Sequence, residues 1–307
     1  MEVKFQNYRC FRDATLKLTP LTVVVGANAA GKSSLVRALD PDLVLLPGDV
    51  WQGRSDLQIK VSRRFDNGFG LTANLRPSQE HGLLTRDSAG GVMPSFQLLA
   101  LDAAQLRNEN QFVKATRLDR TGANIANVFG SRTRTEQTAL SKEFCAFVPV
   151  YSDVDTVPQS VGHITLRFQD RWNSARWYLP SEVSDGSLFT LAFLLLSHQT
   201  PPVDILAIED PEHGIHPFLL GELVGLLRRL ATGELTGRSM RVVLTTHSPT
   251  VLEFSQPEEV RLLERRDDGS VDILEIPTDS EHWRKAFKVY DESLGQAWLS
   301  GGLGGTS

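Results

Sequence analysis

A chain of 307 residues, 41% of them hydrophobic, is long enough to bury one large α/β core or a core domain with a smaller attachment. Its formal net charge of −5 gives no whole-chain attraction to nucleic acid, so any DNA contact has to come from a local basic patch or a partner protein. Cys10 and Cys145 stand far apart without metal-ligand spacing, which argues against a disulfide framework and for a reducing compartment. The opening MEVKFQNYRC lacks the apolar segment of a signal peptide, and the longest apolar run, 191–196, is too short to cross a bilayer. The expected location is the cytoplasm, with no membrane partner.

In chain order, residues 3–13 and 15–19 read as two short strands joined by a polar turn, and 21–25 as a buried, almost wholly apolar strand. A glycine-alanine loop follows. A helix is predicted over 31–40, with Leu35, Val36 and Leu39 at helical spacing and Pro41 at its end. Leu57, Ile59 and Val61 then alternate with polar residues, and Asp66-Asn67-Gly68 turns the chain into 69–75, a strong hairpin signal. Residues 76–94 are rich in Ser, Gly, His and Asp, with Gly90 beside Gly91, and predict an exposed or mobile loop.

A short strand is predicted over 96–100, and helix over most of 124–148, broken near Gly130, with Ala139, Leu140, Phe144 and Phe147 on one face. Residues 161–168 and 175–179 give a second hairpin pattern. The character then changes: an apolar helix over 184–197, a buried strand over 203–208, an amphipathic helix over 217–230 and a buried strand over 241–245. Strands alternating with helices imply a mostly parallel, covered sheet. No fixed-period repeat or sustained heptad pattern is present.

Gly26-Ala-Asn-Ala-Ala-Gly31-Lys32-Ser33 satisfies G-x-x-x-x-G-K-[ST] in its required strand-to-helix context. In such a loop backbone N–H groups wrap phosphates and the helix that follows presents its positive dipole end. The cradle comprises Gly26, Asn28, Ala29, Ala30, Gly31, Lys32, Ser33 and Ser34, with Lys32 reaching the β- and γ-phosphates and Ser33 holding Mg²⁺. Downstream, the strand 203–208 runs into Glu209-Asp210-Pro211-Glu212, so acids emerge at a carboxyl strand end, where open α/β sheets bind ligands. One of them, Glu209, can order Mg²⁺, and the next, Asp210, can polarise an attacking water. The strand 241–245 delivers His247, placed to sense a γ-phosphate.

VVVGANAAGKSS, LPSEVSDGSLFTLAFLLL, DILAIEDPEHGIHP and VVLTTHSP, in that order, resemble the ABC-type ATPase heads of the SMC, RecF and OLD group. More narrowly, they resemble the stand-alone bacterial AAA family ATPases related to OLD and RecF. The opening 3–26 is similar to that group's first hairpin, LDRTGANIANVF to a G-x-N-(L/I)-A segment of the narrower family, and ESLGQAWLSGGLGGTS to its usual ending. The resemblance implies an α/β P-loop NTPase fold of ABC-ATPase type. Its mostly parallel core sheet is flanked by helices and carries an antiparallel β-subdomain and an inserted helical subdomain. It implies one domain over 1–307, with the inserted lobe at about 96–150 and a C-terminal tail at about 280–307.

The same resemblance implies that Arg9 lies near the base and that Ser184 and Gly186 form the signature that touches the γ-phosphate of the opposite subunit. Ser184 is also a good N-cap, and the helix it opens would aim N–H groups at an anion. A head-to-tail homodimer around ATP and Mg²⁺ is therefore expected. This chain departs from the usual signature at Val183 and Asp185, and from the usual Asp-Glu order at Glu209-Asp210. An aspartate base is one methylene shorter than glutamate, so slow turnover is expected, with Glu212 as the backup base. Gln97 is the glutamine weighed for the one that reaches Mg²⁺ in ABC-type sites.

No D-x-D pair follows His247, and the chain beyond it is short for a Toprim nuclease domain, so a separate nuclease-like effector is expected. Arg228, Arg229, Arg261, Arg265 and Arg266 are candidates for DNA phosphates. The function expected is a Mg²⁺-dependent ATPase acting as a switch in DNA repair or anti-phage defence. The alternatives are an ATP-binding regulatory scaffold with little turnover and, less favoured, the nucleotide-binding subunit of a transporter.

Overall fold

The computed structural model describes residues 1–77, 79–86 and 91–303, so Gly90 of the predicted loop and 304–307 of the predicted tail lie outside the described residues. The chain opens with strands β1 (Glu2–Tyr8), β2 (Phe11–Lys17) and β3 (Leu21–Val25), then helix α1 (Lys32–Arg37). Strands β4 (Ile59–Arg64), β5 (Gly70–Leu75), β6 (Leu83–Arg86) and β7 (Phe96–Leu99) follow. Next come α2 (Ala103–Leu106), β8 (Asn110–Gln111), α3 (Ile125–Gly130), α4 (Arg134–Phe147), β9 (Tyr151–Pro158), β10 (His163–Asp170), β11 (Trp177–Tyr178) and α5 (Asp185–Leu196). The last part holds β12 (Ile205–Glu209), α6 (Pro217–Thr232), β13 (Arg241–Thr246), α7 (Pro249–Glu253), β14 (Val260–Arg265), β15 (Val271–Glu275), α8 (Glu281–Lys288) and α9 (Leu294–Leu299).

Two compact units result, one of Met1–Phe96, Val203–Ala207 and Ser239–Ser307, the other of Gln97–Pro202 and Ile208–Arg238. The boundary falls inside β7 and inside β12. The first unit contains an antiparallel sheet in the order β2-β1-β4-β5-β6. It also holds the centre of a sheet ordered β15-β14-β3-β13-β12-β7, in which β3 pairs parallel with both β13 and β14 and β15 closes the edge antiparallel. All five residues of β3 are buried, as its unbroken Leu-Thr-Val-Val-Val requires when both faces are covered. The α/β core with parallel and antiparallel parts agrees with the predicted fold class.

The first hairpin corrects the sequence reading. Its turn is Arg9-Cys10, with Tyr8 opposite Phe11, and the residues assigned to a turn near Ala14 lie within β2. No glycine marks the true turn; Asn7 and Arg9 themselves take positive φ, 54° and 51°. Burial decided it, since Ala14 and Leu16 enter the core from alternate positions of β2, and Phe11 is buried at its start with its ring centroid 4.7 Å from that of Phe5. Asp66-Asn67-Gly68 does turn β4 into β5, and the predicted loop after β5 contains β6, whose four exposed residues give no burial signal.

In the second unit, β10 pairs with β11 as the hairpin pattern predicts, and also along its length with β9, which the sequence reading missed. Asp153 and Asp155 break the apolar pattern of β9, yet Phe144, Tyr151 and Phe168 pack there with centroids 5.4–5.9 Å apart. Helix α5 is buried from Ser187 to Leu196, which is why it is apolar all round rather than along one stripe. Among the described residues no helix is long and apolar enough to cross a membrane.

Candidate nucleotide-binding site

The glycine loop joins β3 to α1 in the first unit. Ala29 and Gly31 hold left-handed backbone, φ 62° and 99°, and curl the chain so that α1 starts without a side-chain cap. At Gly31 only glycine fits, because a Cβ would stand 2.4 Å from Cys10 Sγ. Lys32 folds back over the loop, its Nζ donating to the carbonyls of Gly26 at 2.8 Å and Ala27 at 3.0 Å. Ser33 is exposed, and neither its hydroxyl nor its N–H takes a partner among the described residues. A free hydroxyl, helix-start N–H groups and an ammonium suit a Mg²⁺-bound polyphosphate, so these residues fit the group that the motif implies.

Basic groups surround this loop. Arg9 Nη1 approaches Ser34 Oγ at 3.3 Å, and Arg9 Nε and Arg37 Nη1 each donate to Asp49 Oδ1 at 2.9 Å. Asp49 is buried, so the two guanidiniums compensate its charge and are themselves held in place. Arg265, at the end of β14, donates to Ala29 O at 2.6 Å and Gly269 O at 2.8 Å, tying the β14–β15 hairpin to the loop. Burial pushes the Cys10 thiol above its usual range, and it pushes the neighbouring Tyr8 phenol up to about 12. Both side chains are therefore neutral at physiological pH, and Cys10 lies directly against Gly31 of the loop.

Register brings His247 to the same edge. Thr246 lies opposite Val25 in the parallel β13–β3 pair, so His247 and Gly26 leave adjacent strand ends at one level. His247 is exposed, while the Thr246 hydroxyl accepts the Ser248 N–H at 2.9 Å and fixes the turn into α7.

Ser184, Gly186, Glu209 and Asp210 belong to the second unit. Ser184 caps α5, accepting the Ser187 N–H at 3.3 Å and sharing a hydrogen bond with the Ser187 hydroxyl at 2.8 Å. A Cβ on Gly186 would stand 2.7 Å from Gly214 O, so the turn that follows Asp210 packs directly on the start of α5. The unusual Asp185 is paired: Arg107 Nη2 lies 2.6 Å from its Oδ1 and also donates to Val183 O at 2.8 Å. Glu209 ends β12 and accepts from Arg120 Nη2 at 3.2 Å. Asp210 has φ 43°, a conformation that a non-glycine residue keeps only where its surroundings enforce it.

Other sequence-based expectations change. Gln97 is buried within β7, its amide donating to Leu118 O at 2.9 Å, so this side chain is committed to the fold. Arg261 is buried and donates to Lys17 O at 3.0 Å, Arg229 pairs with Glu234 at 2.7 Å, and Arg266 pairs with Asp272. With Arg265 on the loop, each of these four arginines makes a contact within the chain, while Arg229, Arg265 and Arg266 remain exposed. Asp49, Arg107 and Arg120 went unnoticed in the sequence. Only Asp119 and Asn124, which fold the turn carrying Arg120, left a signal, through their Asx-turn composition.

Comparisons with known proteins bear on the family and the fold. Residues 47–253 match the family described as "AAA domain, putative AbiEii toxin, Type IV TA system", and residues 1–43 match an "AAA ATPase domain". A 57-residue segment is 42% identical to the OLD nuclease of Thermus scotoductus, covering 19% of this chain and 10% of that protein. The SmcHead bound to the C-winged helix domain of ScpA superposes with a TM-score of 0.61 at 11% identity, over 91% of this chain and 99% of that one. A Smc head with an extended coiled coil, bound to the C-terminal domain of ScpA from Pyrococcus furiosus, gives 0.60 at 10% identity, over 95% and 98%. The SMC head of Thermotoga maritima gives 0.52 at 12%, over 90% and 98%. At such identities these structures speak for the fold alone. The first family match spans more than half of the sequence, and the chain therefore belongs to this AAA-domain family, as an SMC/RecF/OLD-like AAA ATPase with the fold of an SMC head.

Proposed function

We propose that the protein binds and hydrolyses ATP with Mg²⁺, pairs head to tail with a second copy around the nucleotide, and uses this cycle as a switch. The observation that carries the reading is the loop at Gly26–Ser33, with its left-handed Ala29 and Gly31, its folded-back Lys32 and its open Ser33 hydroxyl. Gly26, Asn28, Ala29, Ala30, Gly31 and Ser34 supply the cradle, and Lys32 neutralises phosphate charge. Ser33 and Glu209 hold Mg²⁺, which when bound offsets the charge on the phosphoryl oxygens. Asp210 orients and deprotonates the attacking water, and His247 reads the γ-phosphate. Ser184 and Gly186 contact the nucleotide of the partner chain. Membership of a family whose description includes a toxin, together with the similarity to an OLD nuclease, favours a role in defence over repair, with a separate nuclease-like effector.

The test combines turnover with sizing. Asp210→Asn is expected to abolish hydrolysis, retain ATP binding and accumulate an ATP-dependent dimer. Unchanged turnover sinks the assignment of Asp210, and a chain that stays monomeric with ATP and Mg²⁺ bound sinks the dimer.

A further inference from the structure

The turn at 119–124 is built more firmly than a connection needs. Asp119 Oδ1 accepts the N–H groups of Thr121 at 3.1 Å and Ala123 at 2.9 Å, and Asn124 Oδ1 accepts the N–H of Asp119 at 2.9 Å. Asn124 Nδ2 donates to Arg117 O at 2.9 Å, and Arg120 O accepts the N–H of Ala100 at 2.7 Å. The main chain around Arg120 is thus fixed from both sides, while its side chain remains 64% exposed. The guanidinium makes one ion pair among the described residues, to Glu209, whose side chain is only 13% exposed. A carboxylate so withdrawn from water needs a counter-charge. Before metal arrives, Arg120 is the cation that supplies it.

We propose that Arg120 is a positioning residue of the nucleotide site, a stand-in counter-ion that holds Glu209 in place and yields it when Mg²⁺ binds. The proposal rests on the assignment of Glu209 to the metal made above. It explains why a well-braced turn presents an exposed guanidinium to a nearly buried acid: the pair has to form in the empty site and be released in the filled one. Mg²⁺ therefore competes with Arg120 for one carboxylate, and removing the arginine makes metal binding easier rather than harder. A merely structural ion pair predicts no such gain.

The experiment is ATP binding by the full chain at rising MgCl₂, read by calorimetry and by the ligand-induced shift in melting temperature, for the wild type, Arg120→Ala, Arg120→Lys, Glu209→Gln and the Ala/Gln double variant. Arg120→Ala should lower the Mg²⁺ concentration for half-saturation by roughly two- to five-fold, the range that an ion pair exposed on one side can exert. Arg120→Lys, keeping the charge, should stay near the wild type. Glu209→Gln should raise the Mg²⁺ requirement, and Arg120→Ala should then have no further effect. Half-saturation unchanged or raised in Arg120→Ala, with Glu209→Gln still impaired, overturns the role of Arg120 alone. Unaltered Mg²⁺ dependence in Glu209→Gln overturns the metal assignment itself. Melting temperatures without ligand check that each variant folds; the hydrogen bonds of the turn come from Asp119, Asn124 and backbone, so Arg120→Ala leaves them intact.

Discussion

Gly31 stands on Cys10, and the contact can be weighed by a double-mutant cycle. Alanine at position 31 has to adopt φ 99°, which costs roughly 1–3 kcal/mol for a residue with a Cβ. The new Cβ would also lie 2.4 Å from Cys10 Sγ and 3.3 Å from Phe11 Cζ, so the first atom pair overlaps by more than an ångström. Overpacking of this kind typically costs about 1–3 kcal/mol more. Gly31→Ala is therefore expected to lose about 2–6 kcal/mol of stability in total. Cys10→Ala removes the sulfur. In that background the backbone strain and the milder contact with Phe11 remain, and the two substitutions should couple favourably by about 1–3 kcal/mol. Urea unfolding of the four proteins, followed by tryptophan fluorescence, gives the coupling from the midpoints and slopes. Additivity within about 0.5 kcal/mol would show that Cys10 does not shape the loop, and the packing argument would fail.

Gly186→Ala should destabilise the protein by about 1–3 kcal/mol despite the better helix propensity of alanine, because the Cβ would meet a backbone carbonyl that cannot swing aside. A melting temperature equal to or above that of the wild type refutes the close approach of 186 and 214. Asp155 supplies a pH test. Burial raises its carboxyl, but the Arg167 guanidinium at 2.9 Å, the Thr156 N–H and Arg134 together hold it below the usual carboxylate range. Since the folded group titrates below the unfolded one, its contribution is complete above about pH 4 and is lost as pH falls through the folded value. Asp155→Asn should thus cost about 1 kcal/mol at pH 7, with the gap closing progressively below about pH 4; a gap independent of pH contradicts the pairing.

The sequence by itself determined the elements whose pattern is local. Leu21–Val25, the helix after Lys32, the cap at Ser184 and the apolar α5 follow from spacing, capping chemistry and hydrophobic runs, which need no knowledge of neighbours. The glycine loop was legible for the same reason, since backbone that must wrap an anion leaves a fixed pattern of residue types. Tertiary structure decided whatever depends on pairing across distance. β9 became a strand because Phe144 and Phe168 close on Tyr151, and Ala14 stayed in β2 because the core claimed it. The arginines divide most clearly along this line. A charged side chain reads the same in sequence whether it meets solvent, DNA or its own chain. Only the folded register sends Arg265 to the carbonyl of Ala29, Arg107 to Asp185 and Arg120 to Glu209, because long flexible side chains carry no periodicity and their partners are set by the fold.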